Sequence, residues 1–173
     1  MNRWPTIDEL LVLPKWVVVA FAARCARKVF PLIERQGKVQ KKYVKAIEDA
    51  IVLVEQIASG LDNLKNPIER VHQIRTMVYS ELESLSGQQK AAALVAGCAI
   101  DATVFALGKN IKKSAECAAR AGLARFSVFS FDFSNSDAGT AEMWKEYEAL
   151  RLAAAEEDWT TETRLLPSFF DAL

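Results

Sequence analysis

The sequence contains one histidine, three cysteines and no net charge at pH 7. A zinc site would need His72 together with cysteines from separate helices, and no two of these ligands have the usual short spacing. Cys25, Cys98 and Cys117 are widely spaced and include no CxxC pair. We therefore expect reduced, buried thiols and a structural histidine, with no metal and no cofactor.

Other signals of particular function classes are also missing. There is no GxSxG motif, glycine-rich phosphate loop or HExxH motif, which argues against several enzyme classes. Asp8 and Glu9 interrupt the first apolar run, so no signal peptide is expected. The longest apolar run, residues 91–108, contains Asp101 and predicts a buried core helix instead of a membrane span. We expect a cytoplasmic protein without enzymatic activity.

Apolar residues at helical spacing are what the sequence has in abundance. They predict an all-α fold, a helical bundle of about six to seven helices in a single domain, residues 1–173. The central helix is predicted at residues 15–34, with Pro31 kinking or ending its last turn. The other helices are predicted at residues 6–13, 39–58, 67–86, 88–107, 110–124 and 140–156.

One segment departs from the helical pattern. In residues 126–133, Phe129, Phe131 and Phe133 alternate with polar residues. A period of two is typical of extended chain. We therefore predict a short extended aromatic segment lying across the bundle with its rings in the core.

The last part of the chain is acidic. Residues 126–173 carry ten acidic and three basic side chains, and we expect them to pack on the bundle as an acidic C-terminal extension. The acidic groups of the last long helix are either ordinary solvated surface or a binding surface for a basic partner. The partner-binding residues predicted here are Glu142, Trp144, Glu146, Tyr147 and Glu148.

Asp101 lies on an otherwise apolar helix. A carboxylate there needs a cation or several hydrogen-bond donors, and Arg24 and Arg27 on the central helix are candidates. We predict a buried pair of Asp101 with Arg24 that fixes helix register. The alternative is a small-molecule or catalytic pocket around Asp101, Arg24 and Cys25.

The stretch 24–45 is the most basic part of the chain. It contains eight basic side chains and one acidic side chain. Nucleic-acid binding through this stretch is a weaker alternative, because no aromatic interleaving or recognition motif accompanies the charge.

Several stretches resemble a known family. The stretch AFAARCARKVFPLIE (residues 20–34) is similar to the "WAxxCAxxVLPLFE" helix of the type-five-like family of predicted immunity proteins in bacterial polymorphic-toxin systems. Residues 46–60, 91–107 and 114–122 resemble later helices of that family, so the resemblance spans residues 15–122. Cys25 and Pro31 match the motif as structural positions only.

The favoured interpretation is a non-catalytic protein that binds another protein. The family resemblance implies a more specific form, an immunity protein that neutralises a cognate toxin by direct binding. The sequence leaves self-association open.

Overall fold

The computed structural model describes residues 4–35, 40–61, 66–80, 82–85, 87–130, 136–166 and 168–171. These residues form an all-α bundle, and none of them lies in a strand. The helices are α1 (Ile7–Leu11), α2 (Lys15–Arg35), α3 (Lys41–Ser59), α4 (Pro67–Ser80), α5 (Gly87–Leu107), α6 (Ile111–Ser130), α7 (Ser136–Glu156) and α8 (Ser168–Asp171), with a 3-10 turn at Leu82–Ser84.

The helix boundaries follow local chemistry. Thr6 and Glu9 form a capping box at the start of α1, with the Thr6 N–H donating to the Glu9 carboxylate at 2.8 Å. Gly60 ends α3 in the left-handed conformation at φ 71°, which suits glycine. Pro31 does not end α2, since the helix continues past it to Arg35. The helix that begins at Pro67 ends at Ser80, earlier than predicted.

The central position predicted for α2 is confirmed. Every residue from Trp16 to Ala26 is buried, and α2 packs against α3, α5, α6 and α7. A helix that is covered on all sides can tolerate few polar residues, and each buried one needs a partner. Arg24 is one of these buried residues, at 6% exposure.

The core helix α5 is the one described helix long and apolar enough to cross a membrane. Core helices of globular proteins share these properties. In this fold α5 packs against α2, α3, α4 and α6. The bundle buries 56% of the most apolar 18-residue stretch of α5.

Residues 126–130 belong to α6. The prediction of an extended aromatic segment at residues 126–133 is therefore wrong for these five residues. Arg125 and Val128 are fully buried while Ser127 is exposed, a pattern with helical and not alternating period. Extended chain would also leave its backbone groups without a partner strand. Residues 131–133 lie outside the described part of the chain.

A close helix contact gives a first testable prediction. A Cβ at Gly97 on α5 would lie 2.8 Å from Tyr79 Oη and 2.9 Å from Tyr79 Cζ on α4. The Gly97→Ala substitution must push the Tyr79 ring away and strain its 2.9 Å hydrogen bond to Asp101. We expect a loss of about 1–3 kcal/mol in unfolding free energy, measured by chemical denaturation.

The control is the same substitution in a Tyr79→Leu background, where the clash with the ring is gone. Gly97→Ala should cost much less there, because the two positions are coupled through direct contact. Equal losses in both backgrounds would show that the ring is not what the new methyl group meets.

Candidate functional site

A cluster of charged side chains lies where α2, α3 and α7 meet. Arg27 on α2 donates to both carboxylate oxygens of Glu55 on α3, at 3.0 and 2.5 Å. Lys28 donates to Glu142 on α7 at 3.0 Å. Burial opposes ionisation of Glu142, but the hydrogen bond from Lys28 and the nearby charge of Arg125 outweigh it, so the pKa of Glu142 lies below its usual value.

Arg125 on α6 is the inner member of this cluster. Its side chain is fully buried, and its guanidinium donates to Glu146 at 2.6 Å and to Glu142 at 3.2 Å. The Glu146 side chain is itself only 4% exposed. The pair therefore forms a buried salt bridge that joins α6 to α7, a geometry that tolerates the loss of neither partner.

The predicted pair of Asp101 with Arg24 is wrong. Asp101 accepts hydrogen bonds from Arg75 Nε at 2.5 Å and from Tyr79 Oη at 2.9 Å, both on α4. Arg24 instead donates to the backbone carbonyl of Phe169 at 2.7 Å. The sequence pattern placed Asp101 correctly on α5, but it could not show that α4 covers that face.

Cys25 does not join Arg24 and Asp101 in one pocket either. It is buried, and burial raises the pKa of its thiol to about 12. Burial also raises the pKa of Cys98 to about 12 and of Cys117 to about 11. A thiol that stays protonated at neutral pH is a poor nucleophile and a poor metal ligand.

In the described part of the chain, histidine, cysteine and carboxylate groups form no metal centre. His72 is exposed on α4, as predicted for a structural histidine. Within the described ranges, no three His, Cys, Asp or Glu side chains come close enough together to hold a metal ion.

The partner surface predicted on α7 is only partly exposed. Glu146 and Tyr147 are buried at 5% and 2% exposure, so these two residues cannot contact a partner from the folded protein. The Tyr147 hydroxyl donates to the backbone carbonyl of Glu9. Trp144 is half-buried, and Glu148 is bonded to Arg151 at 2.8 Å. Glu146 and Tyr147 point inward because they lie on the apolar face of α7. A count of acidic groups alone does not show this.

The basic stretch 24–45 is partly neutralised, and Lys41 and Lys42 within it are exposed. Arg27, Lys28 and Lys45 are paired with Glu55, Glu142 and Asp49, and Arg24 is buried. Lys38 lies outside the described residues. Paired cations attract a phosphate backbone less than free ones, so the structure gives nucleic-acid binding little support.

An exposed apolar depression lies between α1 and α6. Its volume is about 400 Å³, and we call it the α1/α6 seam. Ile7 and Leu123 are 39% and 44% exposed on its two sides. Leu11 follows Ile7 by one helical turn and is 37% exposed, which extends the apolar strip along α1. The apolar wall consists of Trp4, Pro5, Ile7, Ala119 and Leu123, and Glu116 and Arg120 supply its charged side chains.

Sequence reasoning predicted a buried Arg24 with the wrong partner, and it missed the burial of Arg125, although a signal was present. Arg125 precedes Val128 by three positions, so it shares a helix face with a core residue. The seam had no such signal, because it depends on how α1 lies against a helix about 110 residues later in the chain.

No family model, curated protein or solved structure matches this chain.

Proposed function

We propose that this protein is non-catalytic and acts by binding another protein, in the specific form of an immunity protein that neutralises a toxin. The observation that carries the proposal is the α1/α6 seam. It combines an apolar wall with two charged side chains, Glu116 and Arg120, at a volume of about 400 Å³. Exposed apolar surface rimmed by charge is typical of sites where proteins bind one another.

The seam fits a partner segment that presents aliphatic side chains. Ile7, Leu11 and Leu123 would lose their contact with water when such a segment docks, and this burial would supply the main driving force. Glu116 and Arg120 have opposite charges and lie one helical turn apart on α6. They would orient the partner more than they attract it.

This assignment moves the interface away from α7. The acidic side chains there are engaged within the protein, Glu142 with Lys28 and Arg125, and Glu148 with Arg151. A partner would have to break these contacts before using them. Among the described residues, Glu116 and Arg120 of the seam form no ion pair that a partner would have to break.

The proposal also includes where the protein acts and how it blocks the toxin. A toxin that acts inside the cell must be met there, so we propose a cytoplasmic protein that works by steric blocking and needs no cofactor. The resemblance of residues 15–122 to the type-five-like immunity family supports the same proposal, with the toxin encoded beside this gene.

Growth rescue tests the proposal with a matched pair of variants. Leu123 and Leu152 are 44% and 48% exposed, but only Leu123 lines the seam. Each neighbouring gene is expressed alone and together with the wild-type chain, Leu123→Asp or Leu152→Asp. We expect one neighbour to stop growth, with rescue by the wild type and by Leu152→Asp.

Leu123→Asp should lose rescue, because an aspartate at the centre of an apolar contact costs about 2 kcal/mol or more, roughly 30-fold in affinity. Rescue by all three chains would show that the interface lies outside the seam. If no neighbouring product is toxic, the immunity form of the proposal is wrong.

A further inference from the structure

A second pocket lies between α2, α3 and α8, away from the seam. Its volume is about 310 Å³, within the range of pockets that hold small molecules. Its lining combines three cationic side chains, Arg24, Arg27 and Lys28, with two apolar residues, Pro31 and Phe170. Glu55 is its remaining lining residue and is already bonded to Arg27. We call it the cationic pocket.

Arg24 has no carboxylate partner among the described residues. Its Nη2 donates to the Phe169 carbonyl at 2.7 Å, and its guanidinium lies 4.5 Å from the centre of the Phe169 ring. Its Nε is buried and has no hydrogen-bond partner. Burial lowers the pKa of Arg24, and the negative charge of Glu146 opposes this only in part. Buried charges in proteins are normally paired, so this arginine is unusual.

Among the described residues, every carboxylate near Arg24 is bonded to another cation. Glu55 is bonded to Arg27, Glu142 to Lys28 and Arg125, and Glu146 to Arg125. In this described set, four cations share three carboxylates. The surplus is a single positive charge, and it belongs to Arg24.

We propose that the cationic pocket binds a small organic monocarboxylate, with the carboxylate on Arg24 and the apolar body against Pro31 and Phe170. Arg24 Nη2 is bonded to Phe169 and Nε is enclosed, so the carboxylate meets the remaining Nη1 of the guanidinium. A guanidinium held in one orientation directs this contact better than a lysine would. A monoanion matches the surplus charge. A phosphate monoester carries about −1.5 to −2 at pH 7 and would bring more negative charge than the pocket leaves uncompensated.

Phenylacetate is the probe, since it joins one carboxylate to one aromatic ring. The full chain is titrated while the arginine Nε–Hε signals are followed by NMR. The Arg24 signal is identified by its absence from the spectrum of Arg24→Lys. We expect a saturable shift of that signal, with a dissociation constant on the order of 1 mM or below.

Four comparisons separate this site from a purely structural role of Arg24 in holding α8 through the Phe169 carbonyl. Phenylacetamide, which has the same shape and no charge, should bind at least about tenfold more weakly. Phe170→Ala should weaken phenylacetate binding by about tenfold or more, followed by the Arg24 signal. Arg24→Lys should weaken it by about as much, followed by the signal of Arg27, which lines the same pocket. Arg151→Lys, at an exposed arginine on α7, should change nothing.

The proposal is overturned if the Arg24 signal does not move at about 10 mM phenylacetate, far above the expected dissociation constant. It is also overturned if the amide binds as well as the acid, since the surplus charge would then play no part. If Arg24→Lys fails to fold, two measurements still test whether the pocket binds a monocarboxylate. These are the acid–amide comparison on the wild type and the affinity of the Phe170→Ala variant. None of these outcomes depends on a protein partner at the seam.

Discussion

Replacing Arg125 by methionine should lower the free energy of unfolding by about 3–5 kcal/mol. The Arg125 side chain has no exposure and contacts Glu146 at 2.6 Å, while the Glu146 side chain is 4% exposed. Methionine fills most of the volume but leaves the Glu146 carboxylate buried without its main cation. The loss is measured by urea denaturation at pH 7.

Two controls accompany this substitution. Arg151→Met removes an exposed arginine bonded to Glu148 and should leave the free energy of unfolding near the wild-type value. The double variant Arg125→Met/Glu146→Leu removes both buried charges and should recover most of the loss. A single variant as stable as the wild type would show that Glu146 does not depend on Arg125.

Replacing Leu165 by alanine should cost about 2–5 kcal/mol, because the side chain is fully enclosed at 2% exposure. Leu165 also fixes the chain after α7 to the bundle. Its N–H donates to the carbonyl of Ala58 at 3.1 Å, and the guanidinium of Arg164 lies 3.5 Å from the centre of the Trp16 ring. The cavity left by alanine loosens this attachment.

The neighbouring leucine provides the control. Leu166 is 70% exposed, so Leu166→Ala should change the free energy of unfolding by no more than about 0.5 kcal/mol. Denaturation curves of the two single variants give the comparison. Similar losses for both would mean that Leu165 does not anchor the chain after α7.

Most of the fold could be predicted from local chemistry. The capping box at Thr6, the Asn66-Pro67 start and the stop at Gly60 set helix ends without help from distant residues. The central place of α2 followed from its wide apolar stripe. Residues 126–130 were mispredicted, because three alternating phenylalanines outweighed the helical spacing that Val128 continues.

The charged residues could not be assigned in the same way. A sequence shows that Asp101 and Arg24 each need a partner, but the partner depends on which helices meet. In the structure α4 supplies Arg75 for Asp101, and the Phe169 carbonyl meets Arg24. The sequence predicts the acidic groups of α7 at the surface, either solvated or bound to a basic partner, whereas Glu146 lies inside the protein. Helix periodicity applied to each charge would have corrected part of this.

Direct complex formation is the strictest test of the proposed function. The purified wild-type chain, Leu123→Asp and Leu152→Asp are each mixed with the inactivated product of the neighbouring gene and analysed by size-exclusion chromatography. We predict a stable complex with the wild type and with Leu152→Asp, and none with Leu123→Asp. A complex that forms equally with all three chains, or with none, would contradict binding through the α1/α6 seam.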